Sequence, residues 1–504
     1  MLIIALLPFI AIIFFLIIQK WPAIKAMPAS LAVTLITAYI WGMKTQTIIT
    51  ATIKGACITI EIMFLIFGAI LLLEILKKAG AMNTLTNTIQ KITKDHRIMI
   101  IIIAVTFVAL IEGAAGFGTP AALAAPILTH LGVTGTTAVS TSLTGDTIPT
   151  TYGALGTPII YGIGTSYPAL ITEVSKTTAK IMFFLGAILP LLTTTVLIKT
   201  HKGKLKNIIE IIPFALAVGI ITMISYYLVA QLSVQLPAII SGITGITTAI
   251  ILTKTRLAPK TTWQIKKIPK PTKTKISVTK ALIPYIILST LLIITGIETI
   301  RAWLKKGAIT TKIHTFYLFA HPFILFLITS IIAISIYKLN KKQTKETLKT
   351  TIKRAKTPFI ALLSVLILVQ ILQYSHLNVQ NNEGILQTIA HTIKLPGTLY
   401  LLISPFIGIF GSFVAGSNTV SNLLFSTIQH QTAINAGINP IITLSLQTIG
   451  GAVGNMIAIH NIIAAAAVIG LFHKETKILK INLIPVLLLG TLAGIIGLII
   501  HLMT

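Results

Sequence analysis

The sequence predicts an all-α polytopic membrane protein with two structurally related halves, whose broken or re-entrant helices meet at the bilayer midplane. Three observations predict it. Hydrophobic residues make up 54% of the 504 residues and charged residues only 10%, which excludes an ordinary soluble domain. Runs such as 1–19, 57–76 and 481–503 approach or reach the ~20 apolar residues that cross a ~30 Å hydrocarbon core. Finally, two glycine-rich breaks interrupt apolar spans about 300 residues apart and use nearly the same residues. Lipid lets a chain cross only as helices or a closed barrel, and the ~10-residue alternating strands of a barrel are absent.

Helices are predicted over 1–19, 27–43, 55–76, 98–111, 119–132, 136–148, 178–198, 209–230 and 235–252 in the first half. The second half gives 281–298, 315–337, 357–376, 396–414, 419–433, 440–457, 459–472 and 481–503. The run 1–19 has no basic n-region and no clear Ala-x-Ala site, so a retained first helix is expected. The piece 98–111 is 14 residues, about 21 Å at the helical rise and too short to cross alone. It is therefore expected to belong to a broken helix or hairpin. The halves are 1–252, with its motif at 112–159, and 281–504, with its motif at 411–461. A basic, proline-containing cytoplasmic linker, 253–280, joins them.

The net charge of +29 does not mark a nucleic-acid binder. Of 40 Lys and Arg, 31 fall in 20–25, 77–97, 199–206, 254–280, 338–356 and 474–480, each beside apolar spans. Cytoplasmic loops of membrane proteins look like this, and few aromatics interleave the clusters as base stacking would require. The expected partners of these basic loops are anionic lipid headgroups. The single cysteine, Cys57, excludes an intrachain disulfide, and no Cys/His group has metal-ligand spacing. No cofactor is expected.

The breaks carry the chemistry. The first reads Glu112-Gly-Ala-Ala-Gly-Phe-Gly-Thr-Pro120, followed by Tyr152-Gly-Ala-Leu-Gly-Thr-Pro-Ile159. The second reads Val414-Ala-Gly-Ser-Asn-Thr-Val-Ser-Asn422, followed by Gly450-Gly-Ala-Val-Gly-Asn-Met-Ile457. Paired interruptions of this kind point to the binding site of a secondary transporter. Gly113, Gly116 and Gly118 strip side chains from the backbone, and Pro120 suits the first turn of a restarting helix. Gly416, Ser417, Asn418 and Thr419 form a matching break with polar caps. Two helix N-termini aimed at one point make an anion site without Lys or Arg. Small residues at this spacing also serve helix packing, which is the competing role.

Only eleven residues are acidic. Glu61 is mid-span, Glu112 opens the first break and Asp146 lies between the two parts of the first motif. A carboxylate at bilayer depth costs ~2.5–3.5 kcal/mol on insertion scales, so such groups usually face a cavity and suit reversible protonation. The alternative is a neutral carboxyl that only fixes helix packing. His430 and His460 flank the second break as proton-shuttle candidates.

These segments, with Gly470-Leu-Phe-His-Lys-Glu475, resemble the bacterial L-lactate permease family, which also carries glycolate. The resemblance implies a multi-pass carrier of the bacterial inner membrane that is not an enzyme. It also implies proton-coupled symport of lactate or a related small 2-hydroxymonocarboxylate. The substrate carboxylate would meet N–H groups near Gly116, Gly118, Thr119, Gly416 and Asn418. Ser417, Thr419 and Asn455 would read the 2-hydroxyl, and Glu112, Asp146 or Glu61 would carry the proton. The chain departs from the family pattern at three places. Asn418 stands where the family usually has Asp, Asn455 where it has Lys, and Asp146 where Asn is common. A buried Asp–Lys pair lost together strands neither charge. A carrier of another small organic anion, or an intramembrane hydrolase using Ser417 or the carboxyls, are the competing readings.

Overall fold

The computed structural model describes residues 2–19, 21–116, 119–265, 276–296, 298–311, 313–392, 397–471 and 474–503. Apart from a hairpin that pairs Ile309–Thr310 with Thr315–Phe316, the regular elements among the described residues are helices. Six are long and apolar enough to cross a membrane: Thr45–Ala79, His96–Ala114, Pro168–Thr200, Leu205–Leu232, Lys341–Tyr374 and Glu475–Met503. Shorter apolar helices fill the space between them.

Several expectations are corrected. The piece 98–111 is not short, because the helical path starts at His96 and runs without a gap to Ala115. Gly113 does not stop it. A Cβ there would lie 2.6 Å from the backbone nitrogen of Ile239, so this glycine serves close packing against helix Pro237–Leu252. The helix expected at 315–337 begins only at Pro322, where His321 caps it by accepting the N–H of Phe323 at 3.3 Å. The basic stretch 338–356 is no loop either, since Lys341–Tyr374 is one 34-residue helix.

The halves repeat in element order. Ala23–Ile40, Thr45–Ala79 and Ala81–Ile92 are followed in the second half by Pro322–Ile336, Lys341–Tyr374 and Ile385–Thr392. Thr119–His130 and Gly135–Gly145 correspond to Asn418–Asn435 and Pro440–Gly454, and Ile171–Thr200 to Glu475–Met503. Helices Leu205–Leu232 and Pro237–Leu252 have no counterpart among the described residues.

The repeat is inverted. The equivalent helices Thr45–Ala79 and Lys341–Tyr374 pack along each other in opposite directions. Lys78 Nζ donates to Glu346 Oε2 at 2.7 Å at one end, and Lys54 Nζ to Tyr374 OH at 3.3 Å at the other. Short motif matches carried no information about direction; these two contacts supply it. Basic residues cluster around Lys78 and Lys349 at their shared end, the side that the positive-inside rule expects to be cytoplasmic.

Each half contains a re-entrant hairpin. The Nε2 atom of His96 hydrogen-bonds the carbonyl of Leu131 at 2.8 Å, so the chain that enters at 96 leaves at 131 on the same side. In the second half, Tyr400 OH donates to Gln429 Oε1 at 2.6 Å and ties the two ends of the hairpin Tyr400–Ala415/Asn418–Asn435. Near His96 the chain is pinned by Arg97, which is fully buried. Its Nη2 donates to Asp95 at 2.7 Å, and its Nη1 reaches the Asn207 carbonyl at 3.1 Å and Glu210 at 3.2 Å. A residue that looked like an ordinary loop cation is a buried fastening.

Candidate functional site

Each hairpin turns on a glycine in a conformation that other residues rarely adopt. Gly116 has φ 59° and ψ −157°, and Gly416 has φ 69° and ψ 18°. After Gly416, Ser417 is extended and its hydroxyl accepts from the N–H of Val420 at 3.4 Å, starting helix Asn418–Asn435. In the first half the helix restarts at Thr119. Gly118 lies outside the described residues, as does the side chain of Thr119.

Two crossing segments approach these turns. Helix Gly135–Gly145 stops at Asp146, and the chain passes Pro149–Tyr152 before Ala154, Leu155 and Gly156 take left-handed φ of 43°, 60° and 79°. Left-handed geometry costs roughly 1–2 kcal/mol per ordinary residue, a strain that tends to mark functional sites. In the second half, helix Pro440–Gly454 gives way to a turn at 455–457.

A cavity with about 320 Å³ of space between atoms lies where the breaks converge. The first half lines it with Glu112, Gly116, Thr150, Gly153, Ala154, Thr157 and Pro158. The second half adds Gly416, Ser417, Asn418, Thr419 and Asn455. Thus Glu112, Gly116 and all five second-half candidates come together. Asp146 does not line the cavity. It is 5% exposed, one turn before Thr150, whose hydroxyl donates to the Asp146 carbonyl, and it lies within electrostatic reach of Glu112. Glu61 is elsewhere, bonded to His314. His430 stacks on Tyr167 with ring centroids 4.1 Å apart, and the side chain of His460 is outside the described residues.

The chemistry of the wall is unusual for an anion site. Among the described residues no Lys or Arg lines it. Glu112 Oε2, Asp146 Oδ1, Asn418 Oδ1, Asn455 Oδ1 and Ser412 Oγ are buried with no hydrogen-bond partner among the described residues. Such atoms are costly unless something in the working cycle satisfies them. The donors on offer are backbone N–H groups at the first turn of helix Asn418–Asn435.

Sequence reasoning missed Thr150, Gly153, Ala154, Thr157, Pro158 and Asn422 as site residues. Asn422 Nδ2 donates to the Pro158 carbonyl at 2.9 Å and to Thr448 Oγ1 at 3.1 Å, and Asn418 Nδ2 reaches the Thr150 carbonyl at 3.4 Å. The two amides are four residues apart, so they share one helix face and engage backbone carbonyls of the broken segment in the other half. The signal was that spacing inside a motif already singled out. Behind Asn422 an uncharged ladder continues, with Gln447 Nε2 donating to Ser421 Oγ at 3.0 Å and Gln429 Nε2 to Gln447 Oε1 at 3.0 Å.

The L-lactate permease family profile matches residues 1–318 and 308–504. A Haemophilus influenzae relative, named provisionally as an L-lactate permease, is 30% identical, covering 97% of this chain and 98% of its own. Glycolate permease GlcA of Escherichia coli is 25% identical, over 87% of this chain and 84% of its own. Among solved structures, the Alcanivorax borkumensis YdaH transporter aligns at 13% identity with a TM-score of 0.44, covering 86% of this chain and 84% of that one.

Proposed function

The chain belongs to the L-lactate permease family, and on that premise we propose that it is a proton-coupled symporter of L-lactate or a closely related small 2-hydroxymonocarboxylate, placed in the bacterial inner membrane. The substrate carboxylate docks on the N–H groups at the start of helix Asn418–Asn435 and on those of the opposing restart near Thr119. Ser417, Thr419 and Asn455 read the 2-hydroxyl. Glu112, assisted by Asp146, carries the proton.

The observation that carries this reading is the pairing of Glu112 with a cation-free wall. An ionised Glu112 and a substrate carboxylate 4 Å apart would repel by ~4 kcal/mol at an effective dielectric of ~20, nearly a thousandfold in affinity. Protonating Glu112 removes that repulsion and turns its unpartnered oxygen into a donor. Anion and proton then bind together or not at all, which is symport. Rocking of the inverted repeats around the cavity would expose it to either side in turn.

The names of the relatives favour lactate and glycolate, and another small organic anion is the runner-up within transport. A serine hydrolase gains nothing from the geometry, because the Ser417 hydroxyl is engaged as a helix cap and His430 stacks on Tyr167. The test is uptake of labelled L-lactate into proteoliposomes with and without an inward proton gradient. Gradient-driven accumulation is expected. Folded protein that accumulates neither lactate nor glycolate would end this substrate assignment.

A further inference from the structure

The second break holds buried oxygens without partners at the place where the first break holds Glu112. Gly116 N donates to the Glu112 carbonyl at 3.0 Å, and Gly416 N to the Ser412 carbonyl at 2.7 Å, so Glu112 and Ser412 occupy the same position in their turns. The Ser412 hydroxyl is fully buried and has no hydrogen-bond partner among the described residues. A helical serine commonly donates to the carbonyl four residues back. For Ser412 that carbonyl belongs to Gly408, which already accepts from Ser421 Oγ at 2.9 Å.

Asn418, only 2% exposed, presents a second such oxygen. Its Nδ2 donates to the Thr150 carbonyl at 3.4 Å, which fixes the amide and leaves Oδ1 on the side of Gly451. Asn418 Oδ1 and Ser412 Oγ border one point on the Gly451 backbone. A Cβ there would lie 2.0 Å from the first and 3.4 Å from the second. Asn455 Oδ1, also unpartnered, is left for the substrate hydroxyl.

The surrounding backbone has the matching polarity. Helices Tyr400–Ala415 and Pro440–Gly454 both end at the cavity, and their last carbonyls carry the negative end of the helix dipole. Helix Asn418–Asn435 instead begins there and offers N–H groups. In broken-helix transporters the N-terminal ends face anionic substrates, while the C-terminal ends coordinate cations. Serine and asparagine do not take up a proton near neutral pH, so this position, unlike Glu112, calls for a whole ion. Without a carboxylate among the oxygens, a divalent ion lacks its usual ligands. The close approach of Gly451 leaves a narrow space, which favours the smaller alkali ions.

We propose that the second break binds a sodium ion, held by Asn418 Oδ1, Ser412 Oγ and carbonyls at the end of helix Tyr400–Ala415, with water or the substrate carboxylate completing the shell. The ion balances the substrate carboxylate on the adjoining first turn of helix Asn418–Asn435, a charge that no Lys or Arg among the described wall residues offsets. Sodium and substrate then tighten each other's binding by the same factor. The inference deepens the transport reading, with the proton in one half and sodium in the other, but its first readout needs no substrate.

The test is thermal unfolding of the purified full-length protein in detergent, in sodium, potassium or choline chloride at equal ionic strength. Sodium is expected to raise the midpoint by several degrees over choline, and potassium to do much less, because the ion binds only the folded chain. Ser412→Ala should abolish the sodium increment yet be no less stable than wild type in choline, since it removes an orphaned hydroxyl. Asn418→Asp, which keeps the oxygen and adds charge, should retain the increment. If Ser412→Ala does not accumulate, Gly451→Ala takes its place, its methyl group filling the ion's space. In proteoliposomes at a fixed proton gradient, replacing sodium by choline should lower uptake of limiting lactate about tenfold. Equal midpoints in the three salts, or a sodium increment that survives Ser412→Ala, would overturn the site. Lactate uptake indifferent to sodium would overturn it too, and would leave the transport reading standing. A sodium increment in a protein that carries no lactate would keep the site and remove the substrate assignment alone.

Discussion

Gly153 lies directly on the carboxyl of Glu112, where a Cβ would fall 2.1 Å from Oε1. The inverted repeat makes the same contact in its other half. A Cβ on Gly451, the counterpart of Gly153, would fall 2.0 Å from Asn418 Oδ1 and 3.4 Å from the hydroxyl of Ser412, the counterpart of Glu112. In each half a missing side chain lets one crossing segment touch the polar group that faces the cavity.

Gly153→Ala should therefore block transport through volume alone. Its φ of −59° and ψ of 148° suit alanine, so no backbone strain confuses the result. Overpacking of this kind costs about 1–3 kcal/mol. Gly451→Ala should behave alike, although alanine is favoured over glycine inside a helix by about 1 kcal/mol. Thermal unfolding and lactate uptake measured on both variants check this, and wild-type uptake in either would count against the contact.

Glu112→Gln keeps the shape of the side chain but removes the exchangeable charge. Accumulation driven by a proton gradient should disappear, while exchange of labelled for unlabelled substrate survives. Counterflow and gradient-driven uptake in the same proteoliposomes separate the two. Intact accumulation would take Glu112 out of the coupling mechanism.

Two ion pairs should respond very differently to truncation. Arg97 is fully buried against Asp95, so Arg97→Ala strands a buried charge and should cost about 3–5 kcal/mol. Lys78 and Glu346 form an exposed pair, and Lys78→Ala should leave stability within experimental error. Unfolding midpoints in detergent give the comparison; equal losses would contradict the burial.

The inverted repeat makes a topological prediction. Asn381→Cys, beyond the end of helix Lys341–Tyr374, should label from outside intact cells. Lys349→Cys, near the start of the same helix, should label only after permeabilisation. The reverse pattern would exclude the orientation derived from the basic stretches.

Much of this protein was legible in one dimension. Apolar runs must be helices in lipid, because nothing else satisfies the backbone there. Glycines 116 and 416 had to mark turns, since few other residues take those dihedrals. The duplicated motifs located the walls of the cavity because each wall is a contiguous stretch of chain, as Gly416 to Thr419 illustrates. Other features were settled only by folding. The direction of the repeat depended on Lys78 meeting Glu346 across 268 positions. The separation of Glu61 from Glu112 depended on which helices became neighbours, and mid-span carboxylates look alike in a sequence. Arg97 looked like any loop cation until Asp95, Asn207 and Glu210 closed around it. Composition and periodicity report how each segment meets its solvent, whereas partnership between distant polar groups is a property of the packed structure alone.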